Sequence, residues 1–265
     1  MKVTPQIIKN FKRKIWEFYK QNKRMFPWRD TTDPYEILVS EMMLQQTQTT
    51  RVIPKYLEFI SKFPTVKSLS RASNEDVLRA WSGLGYNRRA LYLKRAAEKL
   101  TQNPDYSFEN LQSHKGIGPN TAGAIFVFSQ NKPCVFIETN IRRVFIHEFF
   151  KTQEKVADSE ILPLIKATLE KESRDWYYAL MDYGANLSKT VSNPNKKSIH
   201  HASQSKFEGS LRQVRGDIIK SLIQSTTISV LLLEQKINSP HFKDALSQLE
   251  IEKFIQIKNG NVSFV

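Results

Sequence analysis

One cysteine, Cys134, is all the chain has. That excludes a disulfide within the chain and any all-cysteine zinc or iron–sulfur site built by one subunit. No apolar run approaches the ~20 residues that a membrane-spanning helix needs. The N-terminus, MKVTPQIIKNFKRKIWEF, lacks an apolar signal core. The expected location is therefore intracellular, in the cytoplasm or on the nucleoid. The five histidines are scattered except His200 and His201, which stand in a polar stretch and read as solvated rather than metal-binding. Acid is scarce as well: 26 Asp and Glu against 40 Lys and Arg give a net charge of +14 over 265 residues. A soluble chain this basic meets a polyanion, whether DNA, RNA or an acidic membrane surface. Hydrophobic residues make up 40%, enough for a real core, which excludes a disordered chain. Period-two strand patterns are missing from the first 190 residues, so the core is predicted to be all-α.

What is present centres on the stretch LQSHKGIGPNTAGAIFVFSQNKPCVFIETNIRR, Leu111 to Arg143. Gly116 and Gly118 follow one helical segment and open another, with Pro119 at a first-turn position that tolerates it. A tight Gly-X-Gly turn entering a helix aims free N–H groups and the positive end of the helix dipole at one spot, which suits a phosphate. An ordinary interhelical turn is the plain alternative. About twenty residues on, Glu138 stands after an apolar run and before Asn140, Arg142 and Arg143. A phosphate cradle followed by a carboxylate and two cations points to a nucleic-acid backbone held next to an acid.

Elsewhere, Ile7, Ile8, Phe11, Ile15, Phe18 and Tyr19 have helical spacing, and Pro27 breaks that pattern. Asp33-Pro34 reads as a helix start. In the apolar helix that follows, Glu41 shares a face with Ile37 and Leu38, so a carboxylate points inward. Either it is a rim or paired acid, or its pKa is raised by desolvation so that it can donate a proton near neutral pH. Gln45, Gln46, Thr47, Gln48, Thr49 and Thr50 then form an uncharged polar cluster. Amides bond base edges well, although such a cluster is also a common solvated helix end. Helical spacing resumes at Val52–Phe63. Ser73-Asn-Glu-Asp76 is a capping-box type start, Gly83-Leu-Gly-Tyr86 a turn beside Arg88 and Arg89, and Leu91–Leu100 a further amphipathic helix. Two more helices fall within 152–187. Residues 189–205 read as a polar, basic linker. The tail, 206–265, has helices at about 210–224, 228–237 and 240–249. Asn259-Gly260 between two short alternating runs is a hairpin signal. Three helices and a hairpin make a small winged-helix-like α+β module.

The blocks FPWRDTTDPYEILVSEMMLQQTQTTRVIPKY, FPTVKSLSRASNEDVLRAWSGLGYNRRA, GIGPNTAGAI, ETNIRRV and ALMDYGA, in this order and spacing, resemble the helix-hairpin-helix DNA glycosylase superfamily, and most closely the adenine DNA glycosylases of the MutY type. The resemblance covers about residues 7–188. It implies a mainly α fold of two helical lobes, one of six helices at about 30–135 and one joining 1–29 to 136–188, together forming a glycosylase domain over 1–188. The resemblance also implies a hairpin at Gly116 and Gly118, with Asn120 and Thr121 following, that holds DNA phosphates, with Na+ or K+ on its backbone carbonyls. The target base is flipped out of the duplex. Glu41 corresponds to the acid that protonates the adenine, and Glu138 to the acid that stabilises the sugar cation. Tyr86 lines the site. Gln45, Gln46, Gln48, Thr49 and Leu84 correspond to residues that line the pocket or enter the gap around the lesion pair. Arg88, Asn140, Arg142 and Arg143 complete the expected DNA-binding set. Two acids in one cleft need different protonation states, Glu41 neutral and Glu138 ionised, and Arg142 and Arg143 would favour the Glu138 anion.

Four departures stand out. The family's acid is usually aspartate, in Asp-Gly-Asn, where this chain has Glu138-Thr139-Asn140. One extra methylene moves a carboxylate by roughly 1 Å, and a misplacement of that size costs about 10²-fold. The four-cysteine iron–sulfur loop after ALMDYGA is replaced by SNPNKKSIHH, as in a clusterless member with no iron–sulfur cofactor. Asn120 stands where bifunctional relatives carry a Schiff-base lysine, which implies base removal without a lyase step. The domain that reads 8-oxoguanine in full-length relatives has no counterpart in the tail. The expected protein is thus a monomeric, monofunctional glycosylase of base excision repair. It removes adenine opposite 8-oxoguanine or guanine in double-stranded DNA and has no membrane partner. The alternatives are a thymine or uracil mismatch glycosylase acting opposite guanine, and a non-catalytic DNA-binding protein with a decayed site.

Overall fold

In the computed structural model, residues 3–201 and 206–265 are described; positions 202–205 of the expected linker lie outside them. Helix α1, Pro5–Asn22, starts where the Thr4 hydroxyl accepts the Ile7 N–H, with Pro5 in the first turn, and it buries Phe11, Ile15 and Tyr19. A single 3₁₀ turn, Pro27–Arg29, follows where Pro27 breaks the pattern. Helix α2, Pro34–Leu44, begins with the Asp33 carboxylate accepting the Tyr35 N–H at 2.7 Å. It is buried through Ile37, Leu38, Val39, Ser40, Met42 and Met43, as its nearly continuous apolar sequence requires. Next come α3 (Thr49–Lys62), α4 (Val66–Arg71), α5 (Asn74–Trp81) and α6 (Arg88–Gln102). Thr65 and Ser68 form a reciprocal capping box on α4, and the Ser73 hydroxyl accepts the Asp76 N–H at 3.0 Å on α5. Helix α3 starts three residues before the expected Val52, which leaves Pro54 inside it.

Helices α7 (Phe108–Ser113), α8 (Pro119–Gln130), α9 (Thr139–Phe149), α10 (Asp158–Thr168) and α11 (Ser173–Thr190) follow. The tail adds α12 (Leu211–Ser225), β1 (Thr227–Ser229), α13 (Val230–Ile237), α14 (Phe242–Ile251), β2 (Ile255–Lys258) and β3 (Asn261–Phe264). The three strands form an antiparallel sheet in the order β1-β3-β2. Its β2–β3 turn is Asn259-Gly260, both with positive φ (51° and 72°), the pairing that a two-residue hairpin of this twist demands. The short β1 occupies residues expected at the start of a helix. Ser229 caps α13 instead, and Ile228 pairs with Val262.

The chain forms two compact units that are not contiguous in sequence. One comprises Met1–Glu41 and Asp105–Ser203, the other Met42–Pro104 and Gln204–Val265, and the chain passes from the first to the second within α2. In the first unit Phe11 of α1 lies 5.4 Å from Phe145, 5.0 Å from Phe149 and 6.0 Å from Trp176. This ring cluster fastens α1 to α9 and α11, with each buried aromatic contributing about 1.5–3 kcal/mol by burial alone. In the second unit Trp81, Phe59 and Leu69 are buried between α3 and α6, and Phe242, Leu249 and Phe254 fill the tail's own core.

The stretch read as a linker is partly built into the first unit. Residues Pro194–Lys197 make a 3₁₀ turn with Pro194 and Asn195 buried. Asn195 Nδ2 donates to the Thr139 carbonyl (2.9 Å), and Lys197 Nζ donates to the carbonyls of Phe150 (3.2 Å) and Lys151 (2.7 Å). Asn195 and Lys197 thus bond the backbone at the two ends of α9, while Ser192, Lys196, His200 and His201 are exposed.

Candidate active site

The hairpin forms as expected. Helix α7 ends at Ser113, the His114 carbonyl accepts the Ile117 N–H at 3.0 Å, and α8 starts at Pro119. Gly116 adopts φ +90°, a conformation that L side chains rarely take. Gly118 differs: its φ of −79° suits any residue, but nothing lies within 4 Å of where a Cβ would be, so its outer side is open. Asn120, two residues on, turns its amide oxygen to the Ile137 N–H at 3.1 Å. It thereby ties α8 to the segment that leads into Glu138. Thr121 lies in the first turn of the same helix, partly buried.

Glu138 is the N-cap of α9. Its Oε1 accepts the N–H groups of Asn140 and Ile141, both at 2.8 Å, and Asn140 Nδ2 donates to its Oε2 at 3.2 Å. The carboxylate therefore sits on the positive end of the helix, with its orientation fixed. A chain of bonds stands behind it. Arg143 Nη1 donates to Asn140 Oδ1 (2.7 Å) and to the Gly184 carbonyl (2.8 Å), while its Nε donates to Asn193 Oδ1 (3.3 Å). Gly184 lets α11 approach closely here: an added Cβ would lie 2.3 Å from the Asn140 carbonyl oxygen and 2.8 Å from its Cβ. Gly184→Ala is accordingly expected to destabilise the protein by roughly 1–3 kcal/mol in urea unfolding, as overpacking does. By displacing the Glu138 turn about 1 Å, it should also slow any chemistry at that acid about 10²-fold.

Glu41 is the second acid of this unit. Burial pushes its pKa up to about 8, and the charge of Glu138 adds to the rise. Burial raises Glu138 above the ordinary carboxylate range as well, and the Asn140 and Ile141 N–H groups, then Arg143 and Arg142, oppose that rise without cancelling it. The Glu138 charge is thus one cause of the Glu41 rise, and the N–H groups and arginines around Glu138 favour its anion against burial. Tyr178, whose pKa is pushed to about 12 by burial with Glu41 among the contributing charges, stacks on Phe128 at 4.5 Å. The Arg29 guanidinium covers the Tyr178 ring at 4.3 Å and donates to Asp182 at 2.7 and 2.9 Å. The Asp182 side chain is fully buried, and Arg24 also bonds to it. Arg29, Tyr178 and Asp182 were not singled out from the sequence, although FPWRD and ALMDYGA contain two of them.

Arg142 and Arg143, expected in the DNA-binding set, are both engaged within the unit. Arg142 makes a two-pronged pair with Asp158 (2.7 and 2.6 Å), and Arg143 is buried in the network behind Glu138. Among the described residues no group of three or more His, Cys, Asp or Glu side chains is arranged to hold a metal ion. A four-thiolate cluster does not fit this chain, since Cys134, its single cysteine, lies between α8 and α9 with its carbonyl accepting the Tyr177 hydroxyl.

The other expected residues lie in the second unit. Gln45, Gln46 and Gln48 form the connection between α2 and α3, Thr49 opens α3, and Gln46 takes φ +55°. The buried Arg89 organises this connection. Its Nη1 donates to the carbonyls of Met42 (2.8 Å), Met43 (2.9 Å) and Gln45 (2.6 Å), and its Nη2 to Thr47 Oγ1 (3.0 Å) and the Gly85 carbonyl (3.1 Å). One guanidinium thus fixes the glutamine block and the Gly83–Tyr86 turn together. Tyr86 stands at that turn with φ +47°, a strained conformation for a bulky residue, and its ring lies 5.5 Å from the Arg89 guanidinium. Leu84 is 2% exposed and packs inside the unit instead of projecting. Arg88 pairs with Glu252 of the tail.

The hairpin and the acid-capped α9 lie on a mainly helical scaffold whose fold solved DNA glycosylases share. A thermostable thymine-DNA glycosylase aligns with a TM-score of 0.63 at 22% identity, over 72% of this chain and 92% of that one. A trapped endonuclease III–DNA covalent intermediate aligns at 0.58 and 15%, over 68% of this chain and 85% of that one. Residues 39–163 match the family described as HhH-GPD superfamily base excision DNA repair protein. The adenine DNA glycosylase of Mycolicibacterium smegmatis is 30% identical over 237 residues, 80% of each chain. That of Buchnera aphidicola subsp. Baizongia pistaciae is 34% identical over 177 residues, 63% of this chain and 50% of the relative. The chain spans about half the length of several curated relatives that it matches. It belongs to the helix-hairpin-helix base excision repair superfamily and, within it, to the MutY-type adenine DNA glycosylases.

Proposed function

We propose that the protein is a monofunctional DNA glycosylase that hydrolyses the N-glycosidic bond of adenine mispaired with 8-oxoguanine or guanine, acting as a monomer on double-stranded DNA. The observation that carries this reading is the acid pair, with Glu41 raised to about 8 and Glu138 capping α9. At neutral pH Glu41 is protonated and donates to a ring nitrogen of the flipped adenine. As the base leaves with its bonding electrons, positive charge grows on the sugar. The Glu138 carboxylate, already oriented by three N–H bonds, stabilises it without reorganising. Water then bonds to the sugar carbon and loses a proton. The hairpin receives a duplex phosphate on its N–H groups. Na+ or K+ on the carbonyls around Gly116 and Gly118 would offset the phosphate charge there, and the open side of Gly118 supports such an approach. The glutamine block and Tyr86 take the bases around the lesion.

The test is single-turnover base release from a duplex with a central A·8-oxoguanine pair, scored by alkaline strand cleavage. Release from this duplex but not from a fully paired control is expected. Intact substrate at stoichiometric enzyme would sink the reading, and release of thymine or uracil opposite guanine instead would move it to the mismatch branch. Absence of a lyase step is separately checkable. Asn120 offers an amide already engaged with Ile137, not an amine. Borohydride is therefore expected to trap no covalent protein–DNA adduct, and without alkali the strand should stay whole. A trapped adduct would show that another amine attacks the sugar.

A further inference from the structure

Residues 206–265 are not a separate appendage to their unit. Among the described residues, side-chain bonds join them to the α5–α6 region, one ending on Tyr86 and another on Arg88 two residues later. Arg79 of α5, itself held by Glu75, donates to the Ile223 carbonyl on α12. Glu252, just past the end of α14, accepts paired bonds from two guanidiniums at once: Arg88, two residues after Tyr86 (Nε at 2.8 Å), and Arg215 of α12 (3.1 and 2.8 Å). Although burial acts the other way, the two arginines hold the Glu252 carboxyl below its ordinary range, so the anchor stays charged through the neutral range. One turn before Arg215 on the same helix, Arg212 Nη1 donates to the Tyr86 hydroxyl at 3.1 Å. The tyrosine is thus held at both ends, its ring over Arg89 and its hydroxyl by Arg212, in a backbone conformation that a bulky residue does not take without such support.

We infer that the C-terminal module is a positioning element for Tyr86. Arg212, set in place by the Arg88–Glu252–Arg215 anchor, orients the tyrosine hydroxyl, and through it governs how strongly the protein prefers a mispaired duplex over a paired one. This rests on the glycosylase reading above, in which Tyr86 meets the duplex beside the target. A bonded pair of this kind has a signature that simple phosphate contact lacks. An arginine that only grips the backbone strengthens binding to every duplex alike and steepens its salt dependence by about one unit of slope. An arginine that works through Tyr86 changes the ratio between duplexes and loses its effect when the hydroxyl is gone.

The experiment uses the full chain as wild type, Arg212→Ala, Tyr86→Phe, the double variant and Glu252→Gln. Each is titrated by fluorescence anisotropy with a fully paired duplex and with one carrying non-hydrolysable 2′-fluoro-deoxyadenosine opposite 8-oxoguanine. Arg212→Ala and Tyr86→Phe are each expected to cut the ratio of the two affinities about 5–10-fold, as a hydrogen bond to a charged donor does. The double variant should match the single ones, because both remove the same bond. Glu252→Gln should lower the ratio too, by releasing Arg212's helix from the turn. An unchanged ratio in Arg212→Ala, losses that multiply in the double variant, or an equal weakening toward both duplexes with a flatter salt slope would each overturn the proposal. A wild type that binds both duplexes alike sinks the glycosylase reading itself, and is told apart from those outcomes because it needs no variant.

Discussion

Glu41→Gln is expected to abolish base release and, at the same time, to make the protein more stable. Loss of a general acid costs about 10²–10⁴-fold in rate, and the amide has nearly the same shape, so duplex binding should persist. The stability gain comes from the same desolvation that makes the acid useful. Folded, Glu41 keeps its proton until about pH 8, whereas the unfolded chain releases it near the ordinary value of 4.5. Between these limits the folded state binds one proton more than the unfolded state, so stability falls as pH rises, by up to about 1.4 kcal/mol per unit. Glutamine has no proton to lose and escapes that slope. Some solvent reaches Glu41 and screens part of the effect. A Tm about 3–8 °C above wild type at pH 7.5 is the expected size for a chain of this length, shrinking to nothing at pH 4. Scanning calorimetry across that range checks it. A Tm gap that persists at pH 4, or a variant as active as wild type, would contradict the assignment of Glu41. The wild-type rate should correspondingly decline above about pH 8 as the donor ionises, and on the acid side as Glu138 takes up a proton.

The sequence legibly carried whatever depends on neighbours a few residues apart. Helical spacing located α1, α2 and α6, Gly116 and Pro119 marked the hairpin, and Asn259-Gly260 marked the β2–β3 turn. The inward carboxylate at Glu41 was visible too, because three- and four-residue spacing put it on an apolar face. What stayed hidden depends on partners far away in the chain. Arg142 and Arg143 look like exposed cations in Glu-Thr-Asn-Ile-Arg-Arg, yet Asp158, Gly184 and Asn193 turn them inward. The tail reads as a free module until Glu252 is seen against Arg88, 164 positions earlier. Residues 189–205 read as a polar linker, although amides and lysines can equally bond a helix's backbone, as Asn195 and Lys197 do here. At Glu138 the nearby arginines act in the expected direction, but burial, which composition cannot show, is the larger influence.

Glu138→Asp should slow base release about 10- to 100-fold without weakening the fold. Aspartate is the better N-cap residue and can still accept the Asn140 and Ile141 N–H groups from a shorter reach, so α9 should lose nothing in urea unfolding. The cost is positional. Shortening by one methylene draws the carboxylate back by about 1 Å, and a shift of that size is enough for such a loss. The backing network of Asn140, Arg143, Gly184 and Asn193 is too tightly packed to follow, since Gly184 has no room even for a methyl group against Asn140. A variant faster than wild type would mean that the longer acid is a handicap and that the network has not adapted to it. Glu138→Gln separates charge from reach. It keeps the length but removes the anion that stabilises the sugar cation, a loss of about 10²–10³-fold on the scale of a missing oxyanion-type partner. It also removes the charge that helps raise Glu41, so the pH above which Glu41 ionises should drop below its wild-type value of about 8. That shift is readable in the pH dependence of unfolding even where no base is released. An unmoved Glu41 would show that the two acids do not sense one another, and the division of labour between proton donor and charged stabiliser would lose its physical basis.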